Sequence, residues 1–185
     1  MSQPLIELIE ASKNYLNQSF SIIIEKGCKY IMTGGNGSGK TTLLLLMMGL
    51  IQPDRGKVIS KRFKINYLPE KAELPMHFMV YDYIRQISRL KHVKIDRHLL
   101  NALDIPYDQT IDTLSKGNMQ KLCLYQALIG DADLIVLDEP LSGLDDEMSD
   151  KWINEIIGSY PSSTMVIATH QKAWFKHPMF IHIEL

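Results

Sequence analysis

Gly34-Gly35-Asn36-Gly37-Ser38-Gly39-Lys40-Thr41 follows the mostly apolar run Tyr30-Ile31-Met32-Thr33 and opens residues 40–50, which hold no helix breaker before Gly49. The octapeptide meets G-x-x-x-x-G-K-[ST] at every fixed position, in a strand, glycine-loop, helix setting. Glycines let consecutive backbone N–H groups curl around phosphate oxygens, and a helix N-terminus favours an anion. Lys40 reaches the terminal phosphates and Thr41 offers its hydroxyl to Mg²⁺. Gly34, Asn36, Gly37, Ser38, Gly39, Lys40, Thr41 and Thr42 are therefore the candidate phosphate-binding residues.

A second element lies a hundred residues on. Leu134-Ile135-Val136-Leu137 is wholly apolar and ends in Asp138-Glu139-Pro140. An unbroken apolar run of this length reads as a buried parallel strand. It delivers one carboxylate, Asp138, towards Mg²⁺ and leaves Glu139 able to polarise an attacking water.

Around these two elements the chain alternates β-rich and helical patterns, as an α/β domain does. Strands are predicted at 5–10, 20–25 and 29–33, the first two in a hairpin-like arrangement closing at Lys26-Gly27. Further strands are predicted near 56–59, 65–68, 134–137, 164–169 and, as a last edge, 180–185. Helices are predicted at 40–50, 116–129 and 145–157. Between Pro75 and Ala102 the stripe Val80, Ile84, Ile87 and Leu90 has helical spacing, an insertion in the sheet.

Composition bounds the rest. The chain has 185 residues, which predicts one domain, and 45% of them are hydrophobic, enough for a real core. Twenty Lys+Arg against 21 Asp+Glu leave a net charge of −1, so no global basic field points to nucleic acid. Arg85, Arg89, Lys91, Lys94 and Arg97 read as a solvated helical face. Two cysteines, Cys28 and Cys123, suggest neither a disulfide framework nor a metal quartet, and a reducing compartment is the simplest reading. The longest apolar run, 43–51, is about half the 20 residues a membrane span needs, and residues 1–4 have no basic leader pattern. The expectation is a soluble, cytoplasmic chain. His77, His92, His98, His177 and His182 share no metal-ligand spacing.

With both elements in view, the chain resembles the nucleotide-binding subunit of an ATP-binding cassette (ABC) transporter, of a compact exporter-like type. Leu114-Ser115-Lys116-Gly117-Asn118-Met119-Gln120 is similar to the family's LSGGQ signature, and Leu141-Ser142-Gly143-Leu144-Asp145 resembles its D-loop. His170 stands where the family has a switch histidine, and Tyr67-Leu68-Pro69-Glu70 where it has the Q-loop. The motifs keep the family order and cover nearly the whole chain. The resemblance implies a mostly parallel core sheet, an N-terminal antiparallel β subdomain and a helical subdomain inserted at about 72–130. It also implies two cassettes docked head to tail over two ATP molecules, each held between one subunit's phosphate loop and the other's signature. On that basis Glu139 is the general base or water-orienting residue, Asp138, Thr41 and Glu70 support Mg²⁺, and His170 contacts the γ-phosphate. Ser115 and Gly117 then meet the partner's ATP, and Asp145 couples the two sites.

Several positions depart from the family pattern. Lys116 and Asn118 replace a signature glycine and glutamine, and Glu70 replaces the usual Gln, adding negative charge beside a triphosphate. The adenine-stacking aromatic falls to Tyr15, in a segment shorter than usual. Met76, Phe78, Met79, Val80 and Tyr81 follow the Q-loop, where a transmembrane permease docks in the family; the same stretch also reads as helical-subdomain core. The function implied is an ATPase that powers a separate permease from the inner face of the cell membrane, with a lean towards export and no direct nucleic-acid partner. A soluble cassette acting on nucleic acid or ribosomes, or a hydrolysis-impaired regulatory cassette, stays open beside it. Only 15 residues follow His170, which predicts a single compact cassette without an appended regulatory domain.

Overall fold

Strand β3 (Lys29–Thr33), which feeds the glycine loop, is buried over its first four residues. In the computed structural model, which describes residues 4–142 and 146–185, it lies inside a five-stranded sheet. The others are β5 (Ile65–Leu68), β6 (Leu134–Asp138), β7 (Thr164–Ala168) and β8 (Phe180–Glu184), in the order β5-β6-β7-β3-β8. Every pairing is parallel, with Ile31 opposite Ile167, Val136 opposite Val166 and Tyr67 opposite Val136. All five residues of β6 and of β7 are buried. Layers on both faces explain their unbroken apolar sequences.

A second sheet is antiparallel, with β1 (Pro4–Ser12) between β2 (Phe20–Glu25) and β4 (Arg55–Ser60). Strands β1 and β2 alternate buried with exposed or half-buried residues, the pattern of a sheet with one face on the core, while β4 at the edge keeps only Val58 half-buried. Strands β1 and β2 do pair, but Lys26-Gly27 does not close their hairpin: it carries the chain from β2 into β3 of the other sheet.

Helix α1 (Lys40–Met47) sits between the two sheets. Its Leu43, Leu44, Leu46 and Met47 share one apolar cluster with Ile6, Leu8, Phe20 and Ile24 of the antiparallel sheet and with Tyr30, Met32, Val136 and Val166 of the parallel one. A helix covered on several sides is apolar nearly all round, which is why 43–48 reads as a continuous run. The alternate parallel-strand residues, Ile31, Ile135, Leu137, Met165 and Ile167, face a second cluster. Helices α2 (Val80–Leu90), α3 (Arg97–Ala102), α4 (Lys116–Leu128) and α5 (Asp146–Ser159) cover that face, with Ile84, Leu100, Leu122 and Trp152 among the buried contacts. Helices α2 to α4 all fall between β5 and β6.

The helical stretch predicted from 75 to 102 is broken. It resolves into α2 and α3, separated by residues 91–96, in which His92 has φ 57°. Lys91, the C-cap of α2, turns inward: its Nζ donates to Asn66 Oδ1 at 3.0 Å, Gln126 O at 2.6 Å and Ile129 O at 3.0 Å. These two carbonyls belong to the end of α4, where a cation complements the helix dipole. Lys91 is thus no part of a solvated basic face, and burial lowers its pKa. The apolar stretch after Glu70 also divides. Val80 is fully buried, while Met76, Phe78, Met79 and Tyr81 stay exposed.

Candidate functional site

The carboxyl ends of β3, β6 and β7 open into one cavity of about 740 Å³. Open parallel sheets bind ligands outside the carboxyl ends of their strands. Around the cavity stand Asn36, Gly37, Ser38, Gly39, Lys40, Thr41 and Thr42 from the glycine loop and α1, Asp138 and Glu139 from β6, and His170 from beyond β7. Tyr15, Leu16, Glu70 and Ser142 complete the wall.

The loop is shaped for an anion. Gly39 is the N-cap of α1 with φ 93°, in the left-handed region that favours glycine, and it supplies no side-chain acceptor to the first helical N–H groups. A Cβ there would meet Leu16 Cδ1 and Phe20 Cζ at 3.2 Å. Gly34 is confined for a different reason: a Cβ would lie 2.8 Å from the Leu185 carbonyl. Lys40 Nζ folds over the loop onto Gly34 O at 2.8 Å and Gly35 O at 3.1 Å. Gln18 Nε2 donates to Ser38 O from the strap between β1 and β2.

Opposite the loop the site turns acidic. Thr41 Oγ1 donates to Asp138 Oδ2 at 2.9 Å. Asp138 is 2% exposed, and its pKa is raised by that burial and by the Glu70 and Glu139 charges, against the opposing Thr41 hydrogen bond and Lys40 charge. A hydroxyl bonded to a buried carboxylate, with two further carboxylates on the wall, is an oxygen set suited to a hard divalent cation such as Mg²⁺. Glu139 is held by both oxygens: His170 Nδ1 lies 2.8 Å from Oε1, and Thr169 Oγ1 donates to Oε2 at 3.2 Å. Glu139 also has φ 49°, a left-handed conformation costing about 1 to 2 kcal/mol in a non-glycine residue. Its N–H donates to Ala168 O at 2.8 Å.

Not every candidate residue reaches the cavity. Ser115 caps α4 by accepting from the Asn118 N–H at 3.2 Å, and neither Ser115 nor Gly117 lines the phosphate-loop cavity. Asp145 lies outside the described residues. Tyr15 does stand on the wall, 67% exposed, its hydroxyl 3.5 Å from Thr42 Oγ1. Sequence reasoning passed over Leu16, Gln18 and Thr169. Only Thr169 carried a signal, as a hydroxyl at a strand end beside His170.

A strand, a phosphate-shaped loop and a helix at the head of a parallel sheet, facing a buried Asp138 and a half-buried Glu139, define a phosphate-loop nucleotide-binding protein. The ABC transporter family model matches residues 17–142, about two thirds of the chain, and the chain belongs to that family as one of its ATP-binding cassettes. The zinc import ATP-binding protein ZnuC of Rickettsia bellii is 36% identical over 154 residues, covering 78% of this chain and 66% of that protein. Its Pseudomonas entomophila counterpart is 32% identical, again over 78% of this chain but 60% of the relative, so the match spans about two thirds or less of these relatives' length. Among solved structures, a Pyrococcus furiosus chain described as an ABC transporter ATP-binding protein superposes with TM-score 0.82 at 24% identity, over 97% of this chain and 96% of its own. A dimeric post-hydrolysis state of the ATP-binding cassette MJ0796, bound to ADP and Pi, has TM-score 0.78 at 18% identity, over 97% and 96% of the two chains. At those identities the two structures speak for the fold. Among the described residues no helix is long and apolar enough to cross a membrane.

Proposed function

We propose that the chain is an ATP-hydrolysing cassette that closes head to tail with a second cassette over two ATP molecules and so drives a separate transmembrane permease. The observation that carries this reading is the division of the motif residues. Phosphate-loop, Asp138, Glu139 and His170 groups share one cavity, whereas Ser115 and Gly117, at the start of α4, stand outside it and are left to serve another subunit's nucleotide. The same geometry supports the residue roles. The loop N–H groups and Lys40 hold the β- and γ-phosphates, and Tyr15 offers a ring for the adenine. Thr41 and Asp138, with Glu70 beside them, would hold Mg²⁺, which would supply charge neutralisation to the phosphates. Glu139, aligned by Thr169 and His170, takes or orients the proton of the attacking water.

The exposed Met76, Phe78, Met79 and Tyr81 beside Glu70 suit an adaptable docking surface for the permease, and residues 72–130 would move as a helical subdomain carrying it. The chain would then work at the inner face of the cell membrane. The lean towards export gains no support from the ZnuC relatives, which are named as zinc import proteins; zinc is accordingly the first transported substrate to test. The deciding experiment compares Glu139→Gln with the parent chain. The variant should bind Mg²⁺-ATP undiminished and turn it over about 100- to 10,000-fold more slowly, the range of general-base catalysis. Near-parental hydrolysis would remove Glu139 from its role.

A further inference from the structure

We propose that Gln120 and Gln171 are positioning residues that clamp the backbone after β6 and hold Glu139 in its working orientation. The proposal rests on the reading of Glu139 given above. Three successive carbonyls leave the end of β6, and each accepts from a side-chain amide. Gln120 Nε2, from the second turn of α4, donates to Pro140 O at 2.9 Å and stands 3.4 Å from Glu139 O. Gln171 Nε2, from beyond β7, donates to Leu141 O at 3.0 Å, and its own N–H donates to Thr169 Oγ1 at 3.1 Å. Gln171 Oε1 is buried without a partner among the described residues, so the donation to Leu141 alone sets how the amide faces.

This clamp bears on the one residue of the segment whose backbone is unfavourable. Glu139 sits at φ 49°, a conformation that persists only where the surroundings over-determine it. Its side chain shares Thr169 with Gln171: the hydroxyl accepts from the Gln171 N–H and donates to Glu139 Oε2. Gln120 ties the same segment to α4, whose cap is Ser115. Rotation of α4 about its start would therefore be felt at the Glu139 carbonyl through one side chain. The pair thus gives a physical route from the signature helix to the carboxylate of this chain's own site.

Gln120→Glu and Gln171→Glu keep the size of each side chain and remove its donor. Each should lower kcat by about 3- to 10-fold, the worth of one hydrogen bond. The Kd for a non-hydrolysable ATP analogue should stay near the parental value, and the melting midpoint should fall by only a few degrees, roughly 2 to 4 °C per kcal/mol of hydrogen bonding lost. In a Glu139→Gln background, single-turnover rates should show almost no further loss, because the clamp acts through Glu139. Unchanged kcat in both variants would overturn the proposal, as would an equal proportional loss in the Glu139→Gln background, a loss that follows analogue affinity, or a loss that disappears when turnover is assayed well below the melting midpoint. Gln120→Met and Gln171→Met, which place no charge near the carbonyls, must give the same pattern. A parent chain that binds the analogue yet hydrolyses no ATP would instead overturn the functional reading, and the clamp with it.

Discussion

Burial and charge act against each other at single residues here. Asp138 stays almost fully buried beside Glu70 and Glu139 charges, and these raise its pKa. A carboxylate disfavoured in this way costs stability, a cost that the Mg²⁺ role proposed for it would account for. Asp138→Asn should therefore raise the melting midpoint, by roughly 2 to 4 °C per kcal/mol recovered in a chain of this size, while Mg²⁺-dependent turnover collapses; calorimetry beside an ATPase assay reads both. Two tyrosines carry the opposite lesson. Tyr83 donates to Gln126 Oε1 and Tyr160 to Leu128 O at 2.9 Å, and burial pushes both phenols up to about 12. Their folded values lie above the unfolded value of about 10. The stability they confer is complete below pH 10 and is lost as pH rises towards 12. Above pH 10, Tyr83→Phe should reduce the fall of unfolding free energy by about 1.4 kcal/mol per pH unit, measurable by urea titration at several pH values.

At the scale of elements, the end of α4 is a junction. Lys91 from the end of α2, Asn66 from β5, Tyr83 from α2 and Tyr160 after α5 all bond to its last turns. Losing the lysine leaves acceptors unpaired, against a smaller gain from no longer burying its charge. Lys91→Met should cost about 1 to 3 kcal/mol, seen as a lower urea midpoint, while the phosphate-loop site keeps its affinity for ATP. Loss of ATP affinity in step with stability would mean that the junction and the loop unfold together. None of this was legible in the sequence, where Lys91 sits among Arg85, Arg89, Lys94 and Arg97 as one more basic residue. Local spacing shows a cation near a helix end but not whose helix end it reaches. The break between α2 and α3 was hidden for the same reason, since the apolar stripe 80–90 runs on into 99–103 without a glycine or proline.

For the whole molecule, the phosphate-loop cavity gathers most of the motif residues, while Ser115 and Gly117 lie outside it at the start of α4. On the function proposed above, a second cassette would join them. Glu139→Gln with Mg²⁺-ATP should sediment as two copies and, without nucleotide, as one. A single copy at saturating ATP would assign the second cassette to a different chain.

The phosphate loop, the Asp138-Glu139 pair and the α/β class were all readable from residue order, because each depends on a strand, turn or helix within a dozen residues of itself. The buried strands were equally plain, since covering on both faces demands unbroken apolar runs. Tertiary structure alone decided which sheet each strand joins, that Lys26-Gly27 crosses between sheets, and that Lys91 caps a helix 35 residues away. It also brought Gln120 and Gln171 onto one three-carbonyl segment. Such contacts are set by how layers stack, and hydrogen bonds between distant residues leave no periodicity in the sequence from which to infer them.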